Sequence, residues 1–186
     1  MTALLRRTDA AVVAAAAGCG LLALRPQLVV HVPAGDGLPA LGFAVLFLVG
    51  WRWPVADGDG PRVARRSMLL PLALGLVAFT VGRLLAGGHS PWPLTARVVV
   101  LNTLAAVAEE AFFRRLVYGA LLPGGAAVAA GGSALLFAVV HVPLYGLWVL
   151  PLDLAAGLVL AWQRHATGSW VTPALTHVVA NILVVI

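Results

Sequence analysis

Two adjacent carboxylates lie inside an apolar stretch of the chain and are its most informative feature. Glu109 and Glu110 are the only glutamates in the 186-residue sequence, and they sit within the apolar segment 98–122. An acidic side chain inside a membrane helix is costly, so it marks a functional site by default. We therefore start from the chemistry that these two residues allow and then ask which elements must position them.

The residues around the two glutamates predict different roles for them. Arg114 follows Glu110 by four positions, which is the favourable order for an ion pair on a helix and indicates a structural clamp. Glu109 points about 100° away around the same helix and has no such partner in its own segment. We therefore expect other helices to supply the partners of Glu109.

Four other polar side chains lie in apolar helical segments, namely His141, His177, Asn102 and Asn181. His177 and Asn181 are four apart and share one helix face. Asn102 precedes Glu109 by seven positions on nearly the same stripe, where it could support the site or form a helix–helix hydrogen bond. The remaining histidines, His31, His89 and His165, are expected to be ordinary loop residues.

This set of residues allows hydrolysis by an activated water. A carboxylate and an imidazole can share a water and act as general base and then general acid. A second imidazole and a carboxamide can donate hydrogen bonds to a developing oxyanion. One glutamate and two histidines are also a known zinc ligand set, so Glu109, His141 and His177 could instead hold one zinc ion. The residues leave both alternatives open, with no cofactor or with one zinc.

The composition is that of a polytopic membrane protein. Hydrophobic residues make up 61% of the chain, charged residues only 10%, and the mean hydropathy is +0.99, whereas a soluble domain carries roughly 25% charged residues. The net charge of +5 does not indicate nucleic-acid binding, because the arginines are scattered and form no stripe. Cys19 is the single cysteine, which excludes an intramolecular disulfide and a cysteine metal cluster.

The apolar segments predict an all-α bundle of about seven transmembrane or partly re-entrant helices. A Gly/Ala-rich link is predicted over 123–132, followed by Ser133 as a helix N-cap and by Pro143 as a break. We expect a single membrane domain over 1–186, with a catalytic core at about 67–186 and two accessory helices within 1–66. The predicted segments are 10–24, 38–53, 67–85, 98–116, 133–141, 152–162 and 170–186.

Arginine counting predicts the orientation, because arginines accumulate on the cytoplasmic side of a membrane protein. A cytoplasmic N-terminus places nine arginines inside, namely Arg6, Arg7, Arg52, Arg62, Arg65, Arg66, Arg114, Arg115 and Arg164. It leaves three outside, namely Arg25, Arg83 and Arg97. Counting along the predicted helices then puts Glu109, His141 and His177 roughly 8–12 Å below the inner face. We expect an integral protein of a bacterial cytoplasmic membrane.

Three motifs in this order resemble those of the CPBP family of intramembrane proteases, which includes the type II CAAX prenyl endopeptidases and the Abi proteins. They are Glu109-Glu110-x-x-x-Arg114, Phe137-x-x-x-His141 and His177-x-x-x-Asn181, within a resemblance that spans roughly 67–186. The resemblance implies a helical membrane endopeptidase in which Glu109 and His141 activate water. It also implies that His177 and Asn181 form an oxyanion hole, and that Glu110, Arg114 and Phe137 support the architecture.

The resemblance leaves the metal open, because the family has been described both as metalloproteases and as glutamate proteases. It implies a membrane-anchored peptide, a membrane protein or a C-terminal sorting tail as substrate, within the lipid bilayer. Two other functions compete with proteolysis. Intramembrane Glu, His and Arg also build proton relays in transporters and channels, although no repeated halves are visible here. The motif residues could also act as polar clamps in a non-catalytic immunity or scaffold protein.

Overall fold

The computed structural model describes residues 2–25, 37–52, 65–87 and 94–185, and these residues form an all-α bundle without strands. The predicted fold class is therefore confirmed. His31, His89, Arg62, Trp53 and Ile186 lie outside the described residues. His165, which was expected in a loop, lies instead in the last turn of the helix Leu150–Thr167.

Seven main helices make up the described part of the chain. The fourth continues without interruption into a π-helical stretch, Ala111–Val117, and one further α-helical turn, Tyr118–Leu121. Short 3₁₀ turns cover Leu122–Gly124 and Leu147–Val149. The main helices are α1 Thr2–Ala23, α2 Gly37–Arg52, α3 Arg65–Ala86, α4 Ala96–Glu110, α5 Ala126–Tyr145, α6 Leu150–Thr167 and α7 Val171–Val185.

Two of these helices are long and apolar enough to cross a membrane, Met68–Ala86 in α3 and Ala126–Tyr145 in α5. Three shorter helical stretches are also apolar, namely Asp9–Ala23, Gly37–Arg52 and Val171–Val185. By length and composition, these helices fit the expected membrane protein. The number of seven full spans stays a prediction, as do the orientation and the division into core and accessory helices.

The predicted link over 123–132 is wrong, because α5 already begins at Ala126. Ser133 is not its N-cap but a buried residue within it, whose hydroxyl donates to the carbonyl of Ala130 at 3.2 Å. The small residues of this stretch let two helices approach closely. A Cβ atom at Gly157 of α6 would lie 3.0 Å from the Cα atom of Ala134, so packing against α6 keeps the Gly/Ala tract helical.

Pro143 does not break α5, which continues to Tyr145 and ends at Gly146, where φ is +88°. The proline lacks an N–H and so loses one helical hydrogen bond, but only two residues of the helix follow it. His141 consequently lies near the far end of α5, one turn before Tyr145. The depth estimate counted from Ser133 as the start of the helix, and it is therefore wrong for His141.

The bundle core surrounds the junction between α4 and the π-helical stretch. Phe112, Phe113 and Leu116 are fully buried there. Gly50 of α2 has the backbone of Ala111 so close that a Cβ atom would not fit, and Gly18 of α1 meets the ring of Phe112 in the same way. These glycines allow α1 and α2 to pack directly against the helix that carries the two glutamates.

Candidate active site

The two carboxylate oxygens of Glu109 have different partners. Oε1 accepts a hydrogen bond from Nη1 of Arg25 at 3.1 Å. Oε2 lies 3.7 Å from Nε2 of His141 and 4.0 Å from Nε2 of His177. The side chain of Glu109 is 3% exposed. The structure thus brings together three of the four predicted catalytic residues, from α4, α5 and α7.

The ring orientation of His141 is set by its own helix. Its Nδ1 lies 2.7 Å from the carbonyl oxygen of Phe137. A carbonyl only accepts hydrogen bonds, so Nδ1 carries the proton of this bond and a neutral ring keeps a lone pair on Nε2. That lone pair belongs to the nitrogen facing Glu109. At 3.7 Å the two atoms are too close for a water on the line between them, so a shared water would lie to one side and donate to both through bent hydrogen bonds.

Two residues that sequence reasoning missed also surround His141. Asp153, in the first turn of α6, places Oδ2 3.6 Å from Nδ1 of His141. The ring of Tyr145 stacks on the imidazole with an interplanar angle of 8° and a centroid separation of 6.0 Å. Asp153 is an acid in an apolar segment, so the rule that singled out Glu109 could have found it as well.

Glu110 contacts both Arg114 and His177. Its Oε2 lies 3.2 Å from Nε of Arg114, so the predicted ion pair is present, with both side chains fully buried. Its Oε1 accepts from Nδ1 of His177 at 2.9 Å. Glu110 is therefore both a partner of Arg114 and the group that orients His177.

Arg114 fixes this network to α6. Its Nη2 donates to the carbonyl of Gly157 at 3.0 Å, and its own carbonyl accepts from Nε of Arg164 at 3.0 Å. The guanidinium carbon lies 4.7 Å from the ring centroid of Phe137, which is the geometry of a cation–π contact. Arg114 thus has partners on α5 and α6 as well as on its own helix.

Phe137 is the aromatic centre of the site. Its ring centroid lies 4.7 Å from that of His141 and 5.6 Å from that of His177. Phe113 packs edge-on against its other side at 5.5 Å. The ring therefore contacts both imidazoles and the Arg114 guanidinium, and it limits how far each can rotate.

Asn181, the fourth predicted catalytic residue, forms its hydrogen bond with Asn102 and not with the other three. Its Nδ2 donates to the carbonyl oxygen of Asn102 at 3.2 Å and so links α7 to α4. The side chain of Asn102 donates in turn to the carbonyl of Val98 at 2.9 Å, within its own helix. The link between α7 and α4 therefore uses the backbone carbonyl of Asn102, whereas the hydrogen bond of its side chain stays within α4.

The comparison with known families matches this arrangement. The sequence profile described as Type II CAAX prenyl endopeptidase Rce1-like matches residues 91–183, half of the chain. The chain belongs to the Rce1-like family. No curated protein and no solved structure matches it. The predicted resemblance is thereby confirmed, and membership implies a membrane-embedded protease that acts on a protein substrate.

The match to the Rce1-like family covers the three motifs but not the first three helices. Arg25, the partner of Glu109, lies outside the matched region. Sequence reasoning missed this contact, because nothing in the local pattern around Arg25 separates it from the other scattered arginines.

The positions of Glu109, His141 and His177 can be compared with those of zinc ligands in this Rce1-like chain. Both imidazoles donate Nδ1–H to an oxygen, as metal-binding histidines do. Ligands bound to tetrahedral zinc at about 2.0–2.1 Å lie only ~3.4 Å apart, closer than the 3.7 and 4.0 Å found here. Among the residues that the structure describes, no three His, Cys, Asp or Glu side chains are arranged to hold a metal. We therefore derive the chemistry from the side chains themselves.

Proposed function

We propose that this chain is an intramembrane endopeptidase that hydrolyses a membrane-associated protein or peptide with a water activated by Glu109 and His141. The observation that carries the proposal is the 3.7 Å gap between Oε2 of Glu109 and Nε2 of His141. Both atoms are acceptors in the expected protonation states, so a shared water would donate to both. Membership of the Rce1-like family favours this function over a transporter or a non-catalytic scaffold.

The proposed reaction follows from the two acceptors. The water oxygen attacks the scissile carbonyl carbon while Glu109, with His141 bonded to the same water, takes up one of its protons. That proton then passes to the leaving nitrogen as the C–N bond breaks, which regenerates the base. The second water proton leaves the new carboxyl group and ends on the released amine, so the products are a carboxylate and an ammonium group, and no covalent enzyme intermediate forms.

His177 and Asn181 are proposed to stabilise the oxyanion. Nδ1 of His177 already donates to Glu110, so Nε2 can donate only when the ring carries both protons. The carboxylates of Glu110 and Glu109, at 2.9 and 4.0 Å from the two ring nitrogens, suit such an imidazolium. The carboxamide of Asn181 keeps a second N–H beyond the one bonded to Asn102.

The substrate is proposed to reach the site at the end of the bundle where α1 ends. Arg25, Tyr145 and Asp153 all lie near helix ends and close to Glu109 or His141. The sequence placed Glu109 near the inner face and Arg25 outside. These two expectations conflict, because Arg25 bonds directly to Glu109. We propose a membrane-anchored peptide or a C-terminal sorting tail as substrate, in a bacterial cytoplasmic membrane.

The test is peptide hydrolysis by the protein purified in detergent. The probe is an internally quenched peptide that carries a farnesylated cysteine and three further residues at its C-terminus, with products identified by mass spectrometry. The wild type should cleave it and Glu109→Gln should not. Arg97→Gln, a change at an exposed residue in the first turn of α4, serves as the matched control and should cleave normally. Equal hydrolysis by Glu109→Gln would contradict the proposal.

A further inference from the structure

Arg25 reaches the proposed catalytic glutamate from outside the family region. It lies two residues beyond the end of α1, whereas the Rce1-like match begins at residue 91. Its Nη1 is 3.1 Å from Oε1 of Glu109, and its side chain is 18% exposed. This contact crosses 84 positions of sequence and connects the predicted accessory region to the site.

The contact makes the two oxygens of Glu109 inequivalent. Oε1 is occupied by the guanidinium, while Oε2 faces the two imidazole Nε2 atoms. A partial rotation of the carboxylate would break the hydrogen bond to Arg25, whereas a half-turn only exchanges two chemically equivalent oxygens and restores it. The arginine therefore holds the carboxylate in the orientation that a water shared by Glu109 and His141 requires.

The contact also supplies positive charge next to a desolvated carboxylate. An isolated carboxylate in an apolar environment takes up a proton instead of remaining ionised, and a protonated Glu109 could not act as a base. The other groups facing Glu109 are the imidazoles of α5 and α7, with Asp153 of α6 beyond His141. The nearby Arg114 is already paired with Glu110. Arg25 is thus the permanently charged cation that bonds directly to Glu109 in the described part of the chain.

The first two helices hold the guanidinium in place. The ring of Phe43, from α2, lies with its centroid 5.9 Å from Cζ of Arg25. A small apolar cavity flanks the arginine and is lined by Leu21, Leu22, Leu38, Pro39, Gly42 and Phe43. An apolar wall offers the guanidinium no competing acceptor, so its hydrogen bonding is directed towards Glu109.

We infer that Arg25 is a positioning residue for catalysis, which orients Glu109 and keeps it ionised. This inference rests on the proposed protease function and extends the site to α1 and α2, which sequence reasoning treated as accessory. Arg25 acts through Glu109 and needs no contact with the substrate.

The experiment compares Arg25→Ala and Arg25→Lys with wild type, using the quenched farnesylated peptide and full-length protein in detergent. Arg25→Ala should lose on the order of 10²-fold in kcat with little change in KM, at the lower end of what general-base catalysis contributes. Millimolar guanidinium chloride should restore part of the rate, since the free cation fits the space left by the side chain. Arg25→Lys keeps the charge without the fork geometry, and should retain more activity than Arg25→Ala.

Two controls separate positioning from folding. Arg97→Gln removes an arginine remote from Glu109 and should leave kcat and the guanidinium response unchanged. Glu109→Gln should show no rescue by guanidinium, because the group that Arg25 positions is gone. If Arg25→Ala fails to fold, Arg25→Lys measured in the same way still tests the inference, since a purely structural role predicts no fall in kcat for folded protein.

Unchanged or increased kcat in Arg25→Ala would overturn the inference, and an increase would instead indicate that Arg25 blocks the site. A loss of kcat without guanidinium rescue and with equal loss in Arg25→Lys would also contradict it. An inactive wild type would contradict the proposed function itself. An active wild type with an equally active Arg25→Ala would contradict only the role of Arg25.

Discussion

Oε2 of Glu109 lies 3.7 Å from Nε2 of His141, although the two residues come from different helices and neither is placed by local sequence. Each is fixed by a second contact on its opposite side. Arg25 bonds Oε1 of Glu109, and the Phe137 carbonyl bonds Nδ1 of His141. The pair is therefore preorganised for a shared water, because Oε1 and Nδ1 are already bonded and Oε2 and Nε2 face each other.

The ion pair between Glu110 and Arg114 should carry much of the stability of the site. Arg114→Ala leaves a fully buried carboxylate without its cation, which typically costs ~3–5 kcal/mol. We expect a lower melting temperature and a lower folded yield in detergent. Arg97→Gln, at an exposed position on the same helix, should melt like wild type. A folded Arg114→Ala with wild-type stability and no activity would instead make Arg114 a participant in catalysis.

The roles of His177 and Asn181 can be separated from metal binding. If both donate to an oxyanion, His177→Ala and Asn181→Ala should each lower kcat by about 10²–10³-fold with little effect on KM. If His177 binds zinc, its loss should remove the metal, and Asn181→Ala should be much milder because carboxamides are poor zinc ligands. Elemental analysis of the three proteins, beside single-turnover rates, distinguishes the two. One zinc in wild type, absent from His177→Ala and retained in an active Asn181→Ala, would overturn the oxyanion role.

The orientation of the bundle is open to a labelling test. Arginine counting predicts a cytoplasmic N-terminus, so the turn after α5 should face outwards. In a Cys19→Ser background, Leu147→Cys at this exposed turn should react in intact cells with a maleimide that does not cross membranes. Pro123→Cys, at the exposed turn before α5, should react only after permeabilisation. The reverse pattern would invert the topology and place the site end on the cytoplasmic side.

Sequence patterns predicted the parts of this structure that depend on local spacing. The pair between Glu110 and Arg114 lies within one helical turn, and the apolar runs located seven helices. The prediction of a link before Ser133 was wrong because glycine has a low helix propensity. The packing of Ala134 against Gly157, which overrides this propensity, is not visible in the sequence. Pro143 was taken as a break, whereas α5 continues for two residues beyond it.

The contacts that complete the site depend on how helices pack. Arg25 meets Glu109 only because α1 packs against α5 and against the π-helical stretch that follows α4, and the choice among twelve arginines could not be made from spacing. The same holds for Glu110, whose link to His177 joins α4 to α7. Asn181 shares a helical face with His177, as predicted, but the structure shows its amide bonded to the Asn102 carbonyl.

The central claim is that Glu109 activates a water instead of attacking the peptide itself. The most direct measurement is cleavage of the quenched peptide in H₂¹⁸O over many turnovers, followed by mass spectrometry of the product and of the Glu109 tryptic fragment. Direct attack by water predicts ¹⁸O in the new C-terminal carboxylate of the product and none in Glu109. Incorporation of ¹⁸O into the Glu109 carboxylate would show a covalent intermediate and contradict the account.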